Sequence, residues 1–208
     1  GSAACSPCDM TYSSACGIAI LAGGRSRRMD GPPKACLQVG DHSLLQRVLD
    51  ASTPLQLPIW LIRAADPAPD LQVHLQQTRV PQLVDQWPDA GPLGGLATAM
   101  TQTSCQRVLL LACDLPFLTT QFLEWLMAQA TDASAVVPAD GDRLHPLCAV
   151  YDRRCDPSLQ DRVAQGRLRA HDFLHDLEDA EVLPRMVWDR FDESDRLLTN
   201  INTAEDLE

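Results

Sequence analysis

The chain has 208 residues, 28 acidic and 17 basic, for a net charge of −11 with histidine neutral. That length sets a prior of one domain, and 45 % apolar residues suffice for a sizeable core and are too many for a disordered chain. The acidic balance excludes a general binder of nucleic acid or anionic membrane, which would be repelled at long range, and no apolar run approaches the roughly 18 residues of a membrane span.

Residues 1–15 are expected to be a flexible leader and residues 16–208 one folded domain. Gly17 to Ala22 is a buried strand by composition, ended by Gly23 and Gly24. Ser43 to Leu49, apolar at 44, 45, 48 and 49, predicts an amphipathic helix. Ile59 to Ile62 and Val80 to Val84 read as strands, with Pro67-Ala68-Pro69 a loop between them. Leu93 to Met100 predicts a small-residue helix packed tightly on the sheet. Arg107 to Ala112 is the most apolar strand and is expected to be central. Thr119 to Ala130 is a helix capped by threonine. Ala135 to Val137 and Cys148 to Tyr151 are expected to pair around the turn Asp140-Gly141-Asp142. Helices follow from Pro157 to Gln165 and Leu168 to Leu177, and short strands at Val187 to Phe191 and Leu197 to Ile201. Apolar strands alternating with helical segments predict a single-domain, three-layer α/β/α protein with a mostly parallel, Rossmann-like nucleotide-binding sheet.

The eight cysteines do not form a disulfide pattern, because several lie inside apolar runs, as Cys113 and Cys148 do. A reducing cytoplasm follows as the expected location; no secretory leader pattern is seen. Cys5-Ser6-Pro7-Cys8 has the spacing of half a zinc site or a redox pair, with no matching second half.

Four segments carry chemistry. The first runs from Leu21 to Lys34. A buried strand enters two glycines, then three arginines and Lys34, the only lysine of the chain; residues 25–34 carry a net +3. Glycines let backbone N–H groups approach an anion, and the cations neutralise phosphate oxygens, although a solvated basic loop has the same composition. Neither a P-loop nor a dinucleotide fingerprint is present. The second segment, Gly91-Pro92-Leu93-Gly94-Gly95 after Asp85, opens a helix, where glycine admits a nucleoside or serves tight helix–sheet packing. The third places Asp114 at the end of the apolar strand, as a Mg²⁺ ligand or a helix cap. In the fourth, Asn200-Ile201-Asn202, the period alone does not say which side of a strand would face the site, and Thr203 and Asp206 have capping-box spacing for a final helix.

Together these segments resemble, in order and spacing, the nucleotidyltransferases that build molybdenum cofactor dinucleotides, and among them the guanylyltransferases. The resemblance covers nearly everything from Gly17 onward. Its first motif is specific for the superfamily; the guanylyl branch leans on Ala22-Gly23-Gly24 and the Asn-x-Asn ending. The resemblance implies transfer of GMP from GTP to the terminal phosphate of molybdopterin, with Mg²⁺ as cofactor and pyrophosphate released. It implies catalytic roles for Lys34, Arg28 and Asp114. Leu21, Ala22, Gly23, Gly24, Ser26, Arg27, Lys34, Asp85 and Gly91 would bind the nucleotide. Asn200, Asn202, Arg167 and Arg169 would face the acceptor, with Arg143 and His145 nearby, and Asp114 and Asn202 would hold the metal. The N-terminal half would take the nucleotide and the C-terminal half the acceptor, in a monomer that meets molybdoenzyme maturation proteins but neither nucleic acid nor membrane. Two features depart from the family: Asp30 stands where glycine is usual, and Arg63-Ala64-Ala65-Asp66 lacks the asparagine that often reads the base. These departures leave open a cytidylyl- or other nucleotidyltransferase with a different phosphate acceptor, and a non-catalytic nucleotide-binding homologue.

Overall fold

A computed structural model of the protein describes residues 15–23, 33–129, 132–203 and 206. Strand β1 (Cys16–Leu21) buries its four middle residues completely, as a strand covered on both faces must. After the 3₁₀ turn Lys34–Cys36, the short strands β2 (Gln38–Val39) and β3 (His42–Ser43) form a hairpin. Helix α1 (Leu44–Ser52) starts where Ser43 Oγ accepts from Gln46 N at 3.1 Å, and its Leu44, Leu45, Val48 and Leu49 are buried as its spacing predicts. Then come β4 (Ile59–Arg63), α2 (Pro69–Thr78), β5 (Gln82–Val84), α3 (Gly91–Gln102), β6 (Arg107–Ala112) and α4 (Thr120–Gln129). The second half holds β7 (Ala135–Asp140), β8 (Arg143–Leu144), β9 (Cys148–Asp152), α5 (Asp156–Ala164), α6 (Ala170–Asp176), β10 (Glu181–Pro184) and α7 (Arg185–Trp188).

One mixed sheet runs in the order β10-β7-β9-β6-β1-β4-β5, with β8 paired to β7. All its strands are parallel except β8 and β9. Side chains alternate between two cores. Ile18, Ile20, Leu109 and Leu111 face α1, α2 and α4, together with Trp188. Ala19, Val108 and Leu110 face α3, α5 and α6. The three-layer arrangement follows from that alternation, and β6 is central with every residue from Val108 to Ala112 buried. Among the described residues no helix is long and apolar enough to cross a membrane.

Three expectations need correction, and one strand, β10, lies outside them. Pro69 does not end a loop but opens α2, a place that suits a residue without an N–H; the helix escapes the periodicity because it buries only Leu71 and Leu75. The edge strand β10 buries a single residue, Leu183, and leaves no alternation to read. Val187 to Phe191 is not a strand: α7 and a 3₁₀ turn at Asp189–Phe191 occupy it. Its helical turn drops Trp188 into the core, where Nε1 donates to Leu183 O (3.2 Å) and Ala139 O (3.3 Å). Leu197 to Ile201 joins no sheet either. Its buried leucines belong to a strap whose N–H groups are taken elsewhere: Leu197 N donates to Asp192 Oδ1 and Ile201 N to Asp114 O.

Candidate active site

From β1 the chain crosses to β4 on one side and later returns to β6 on the other, so the sheet order reverses between β1 and β6. In open α/β sheets the crevice beyond the carboxyl ends of such strands is where ligands bind. Here Leu21 O accepts from Cys113 N (3.3 Å) and Ala22 N donates to Ile62 O (2.9 Å), so the loops after β1 and β6 leave the sheet side by side. Gly23 packs closely enough that a Cβ would lie 3.3 Å from Leu71 Cδ2. Gly24, Ser26, Arg27, Arg28 and Asp30 lie outside the described residues, as do Cys5 and Cys8.

Three segments far apart in sequence meet at this crevice. Lys34 opens the 3₁₀ turn and donates from Nζ to Asn202 Oδ1 at 2.5 Å, with Asp114 Oδ2 at 3.8 Å. Asp114 Oδ1 accepts from Asn200 Nδ2 at 2.9 Å, and Asp114 O from Ile201 N at 2.9 Å. Asn200 and Asn202, two residues apart on the strap, turn to the same side. Both join this cluster. Asp206 Oδ2 accepts from Asn202 N (2.8 Å) and Thr203 N (2.9 Å), which holds its carboxyl below the usual range, the Lys34 charge adding a smaller push. This is one half of the capping pattern expected for Thr203 and Asp206. The Asp114 side chain is 16 % exposed and that of Lys34 37 %, so the pair is sheltered yet reachable.

Asp85 and the second glycine cluster lie at the start of α3. Asp85 Oδ1 closes its own turn, accepting from Trp87 N (2.8 Å) and Thr98 Oγ1 (3.1 Å). The glycines divide between the two readings. A Cβ on Gly94 would lie 2.3 Å from Trp87 O, and one on Gly95 2.3 Å from Leu21 Cδ2, so these two serve close packing. Gly91 has φ +56° and nothing within 4 Å of a Cβ, so it borders open space.

Arg167 and Arg169 are not joined to the cluster by any contact among the described residues. Arg167 reaches Asp176 at 2.9 Å beside Arg162, and Arg169 is the exposed residue before α6. Arg143 and His145 instead line a cavity of about 130 Å³ at the carboxyl end of β7, with Arg185, Trp188, Leu198 and Thr199. Burial, then the Arg143 charge, pulls the His145 imidazole down to about 4, so it is neutral at pH 7. Arg185 was not legible in the sequence. It binds Asp140, Asp189, Asp192 and Asp195 at 2.6–3.3 Å and lies 4.7 Å over the Trp188 ring. All six described cysteines are free, and burial pushes the Cys113 thiol up to about 12, so it is no nucleophile.

Asp114 Oδ2 and Asn202 Oδ1 are hard oxygen donors, which suit Mg²⁺ shared with substrate phosphates. Their fitness for a cation is visible in the ammonium they already contact. Among the described residues no group of three or more His, Cys, Asp or Glu could hold a metal; phosphate oxygens or water would join these two oxygens around Mg²⁺.

Residues 18–180 match the MobA-like NTP transferase domain. A probable molybdenum cofactor guanylyltransferase of Trichormus variabilis is 34 % identical over 193 residues, 90 % of this chain and 86 % of the relative. The molybdenum cofactor guanylyltransferase of Serratia proteamaculans is 29 % identical over 188 residues, 90 % and 89 % of the two chains. Among solved structures, the molybdopterin-guanine dinucleotide biosynthesis protein A of Archaeoglobus fulgidus aligns with a TM-score of 0.75 at 24 % identity, covering 92 % of this chain and 94 % of the other.

Proposed function

The chain belongs to the MobA-like NTP transferase family, and from that premise we propose that it transfers GMP from GTP to the terminal phosphate of molybdopterin, releasing pyrophosphate, with Mg²⁺ bound. The names of its relatives support the substrates. The observation that carries the chemistry is the meeting of Lys34, Asp114, Asn200 and Asn202 at the carboxyl ends of β1 and β6.

An oxygen of the acceptor's terminal phosphate bonds to the α-phosphorus of GTP. The bond from that phosphorus to the bridging oxygen breaks, and pyrophosphate leaves with the electron pair. The attacking phosphate is already ionised at neutral pH, so no general base is needed, in keeping with a neutral His145. In-line positioning and positive charge provide the catalysis. In this reading Leu21, Ala22, Gly23 and Gly24 would meet the guanine and sugar through backbone groups, with Asp85 and Gly91 also contacting the nucleoside. Ser26, Arg27 and Arg28 would wrap the triphosphate, and Lys34 would neutralise the charge developing at the α-phosphorus. Asp114 and Asn202 hold Mg²⁺, which neutralises phosphate charge when bound. Asn200, Asn202, Arg167 and Arg169 lie on the acceptor side. A cytoplasmic monomer that meets molybdoenzyme maturation proteins completes this reading, the N-terminal half taking nucleotide and the C-terminal half acceptor.

Thermal unfolding with Mg²⁺ and each of GTP, CTP, ATP and UTP tests the choice of base. GTP alone is expected to raise Tm by mass action; a larger rise with CTP would overturn the guanylyl assignment.

A further inference from the structure

The only lysine of the chain sits on the oxygens assigned above to the metal. Those oxygens are fixed from behind. Asp114 Oδ1 is held by Asn200 Nδ2 at 2.9 Å and its carbonyl by Ile201 N, while Asn202 is anchored through its own N–H on Asp206 Oδ2. The ammonium is the movable partner: it ends a flexible four-carbon stem, is 37 % exposed, and is a compact charge with high affinity for phosphate. Two cations cannot share Asp114 Oδ2 and Asn202 Oδ1, because at such separations like charges repel strongly even when partly hydrated.

We propose that Lys34 is a placeholder for the metal. In the nucleotide-free protein it occupies Asp114 and Asn202 and keeps a free divalent cation off them. When nucleotide phosphates arrive, the ammonium swings to them and yields both oxygens. The divalent cation is therefore admitted with the nucleotide and not before it, and the two bindings are positively coupled. The inference rests on Asp114 and Asn202 as the metal ligands. It adds an order of binding, and a role for Lys34 that precedes its charge neutralisation at the α-phosphorus.

The test is Mn²⁺ binding to the whole protein without nucleotide, read as loss of the free-ion electron paramagnetic resonance signal, with circular dichroism confirming that each variant is folded. Lys34→Met removes the charge and keeps most of the stem; Lys34→Arg keeps a cation. Lys34→Met should bind Mn²⁺ about tenfold more tightly than the unsubstituted protein, the scale of one charged hydrogen bond with a screened charge pair, and Lys34→Arg should not. A GTP analogue with an α,β-methylene bridge should tighten Mn²⁺ binding to the unsubstituted protein by a larger factor than to Lys34→Met. The proposal is overturned if Lys34→Met binds Mn²⁺ no more tightly, or if neither protein binds it at millimolar concentration. A separate outcome bears on the premise: if adding Asp114→Asn to Lys34→Met leaves tight Mn²⁺ binding unchanged, the metal site itself is misassigned.

Discussion

Arg185→Met tests whether the strap that carries Asn200 and Asn202 is held from a distance. Arg185 faces four carboxylates of very unequal weight. Asp140, Asp189 and Asp195 are 54 %, 64 % and 85 % exposed, and ion pairs of that kind contribute between zero and about 1 kcal/mol. Asp192 differs. Its side chain is 2 % exposed, its Oδ2 takes Arg185 Nη2 at 2.9 Å, and its Oδ1 takes Arg196 N and Leu197 N at 2.9 and 2.8 Å. Losing one partner of a fully buried pair costs about 3–5 kcal/mol. Arg185 is itself 27 % exposed and Asp192 keeps two backbone donors, so roughly 2 kcal/mol is expected, a fall in Tm of about 4–8 °C for a chain of this size. Urea denaturation of Arg185→Met, Asp192→Asn and the double variant measures it, and the two single losses should overlap strongly in the double. Since Asp192 is the first fixed point of the strap, Arg185→Met should also lower turnover under conditions where it is fully folded. A stability loss under 0.5 kcal/mol, or simple additivity with Asp192→Asn, would refute the reasoning.

Three further expectations concern other parts of the molecule. His145 is held neutral, its folded pKa pulled from 6.5 to about 4 by burial and Arg143, so protons favour the unfolded chain between those values. Stability should therefore fall as pH drops from 6.5 towards 4, by about 1–2 kcal/mol after allowance for the partial exposure of the ring, and His145→Gln should flatten that part of the curve. The carboxyls of Asp152 and Asp176, held below their usual range, add their losses only at lower pH. Gly95→Val forces a side chain onto Leu21 and should cost about 2 kcal/mol or more in a thermal melt, whereas Gly91→Ala meets no atom and should cost only about 1 kcal/mol, for its positive φ. Lys34→Ala should lose about 2–4 kcal/mol of transition-state stabilisation, thirty- to a thousand-fold in turnover, with little change in Tm because the side chain is partly exposed; near-full turnover would remove Lys34 from the reaction.

The sequence reveals what depends on local pattern and hides what depends on distant partners. Unbroken apolar runs mark β1 and β6 as strands buried on both faces, and Ser43 marks the start of α1 because its hydroxyl and the first free N–H are three residues apart. Lys34 and Asp114 are legible as residue types in strand-end loops, Asn200 and Asn202 as residue types alone, and the fold brings the four within bonding distance. The strap misleads because Leu197, Leu198 and Ile201 have the apolar content of a strand, while its hydrogen bonds go to the Asp192 side chain and the Asp114 main chain. The two asparagines, two residues apart, serve one site, as positions i and i+2 of an extended segment can. Arg185 carries no periodic signal at all. Its weight comes from a buried aspartate seven residues on, and only the folded sheet edge places Asp140, 45 residues earlier, beside it as well.

The central claim is tested most directly by measuring pyrophosphate released by the purified protein from GTP, with molybdopterin and Mg²⁺ each present or omitted. Nucleotidyl transfer predicts release only with all three, one pyrophosphate for each acceptor converted to its guanine dinucleotide, and loss of that release in Asp114→Asn. Pyrophosphate formed equally without molybdopterin, or none formed with all three present, would contradict it.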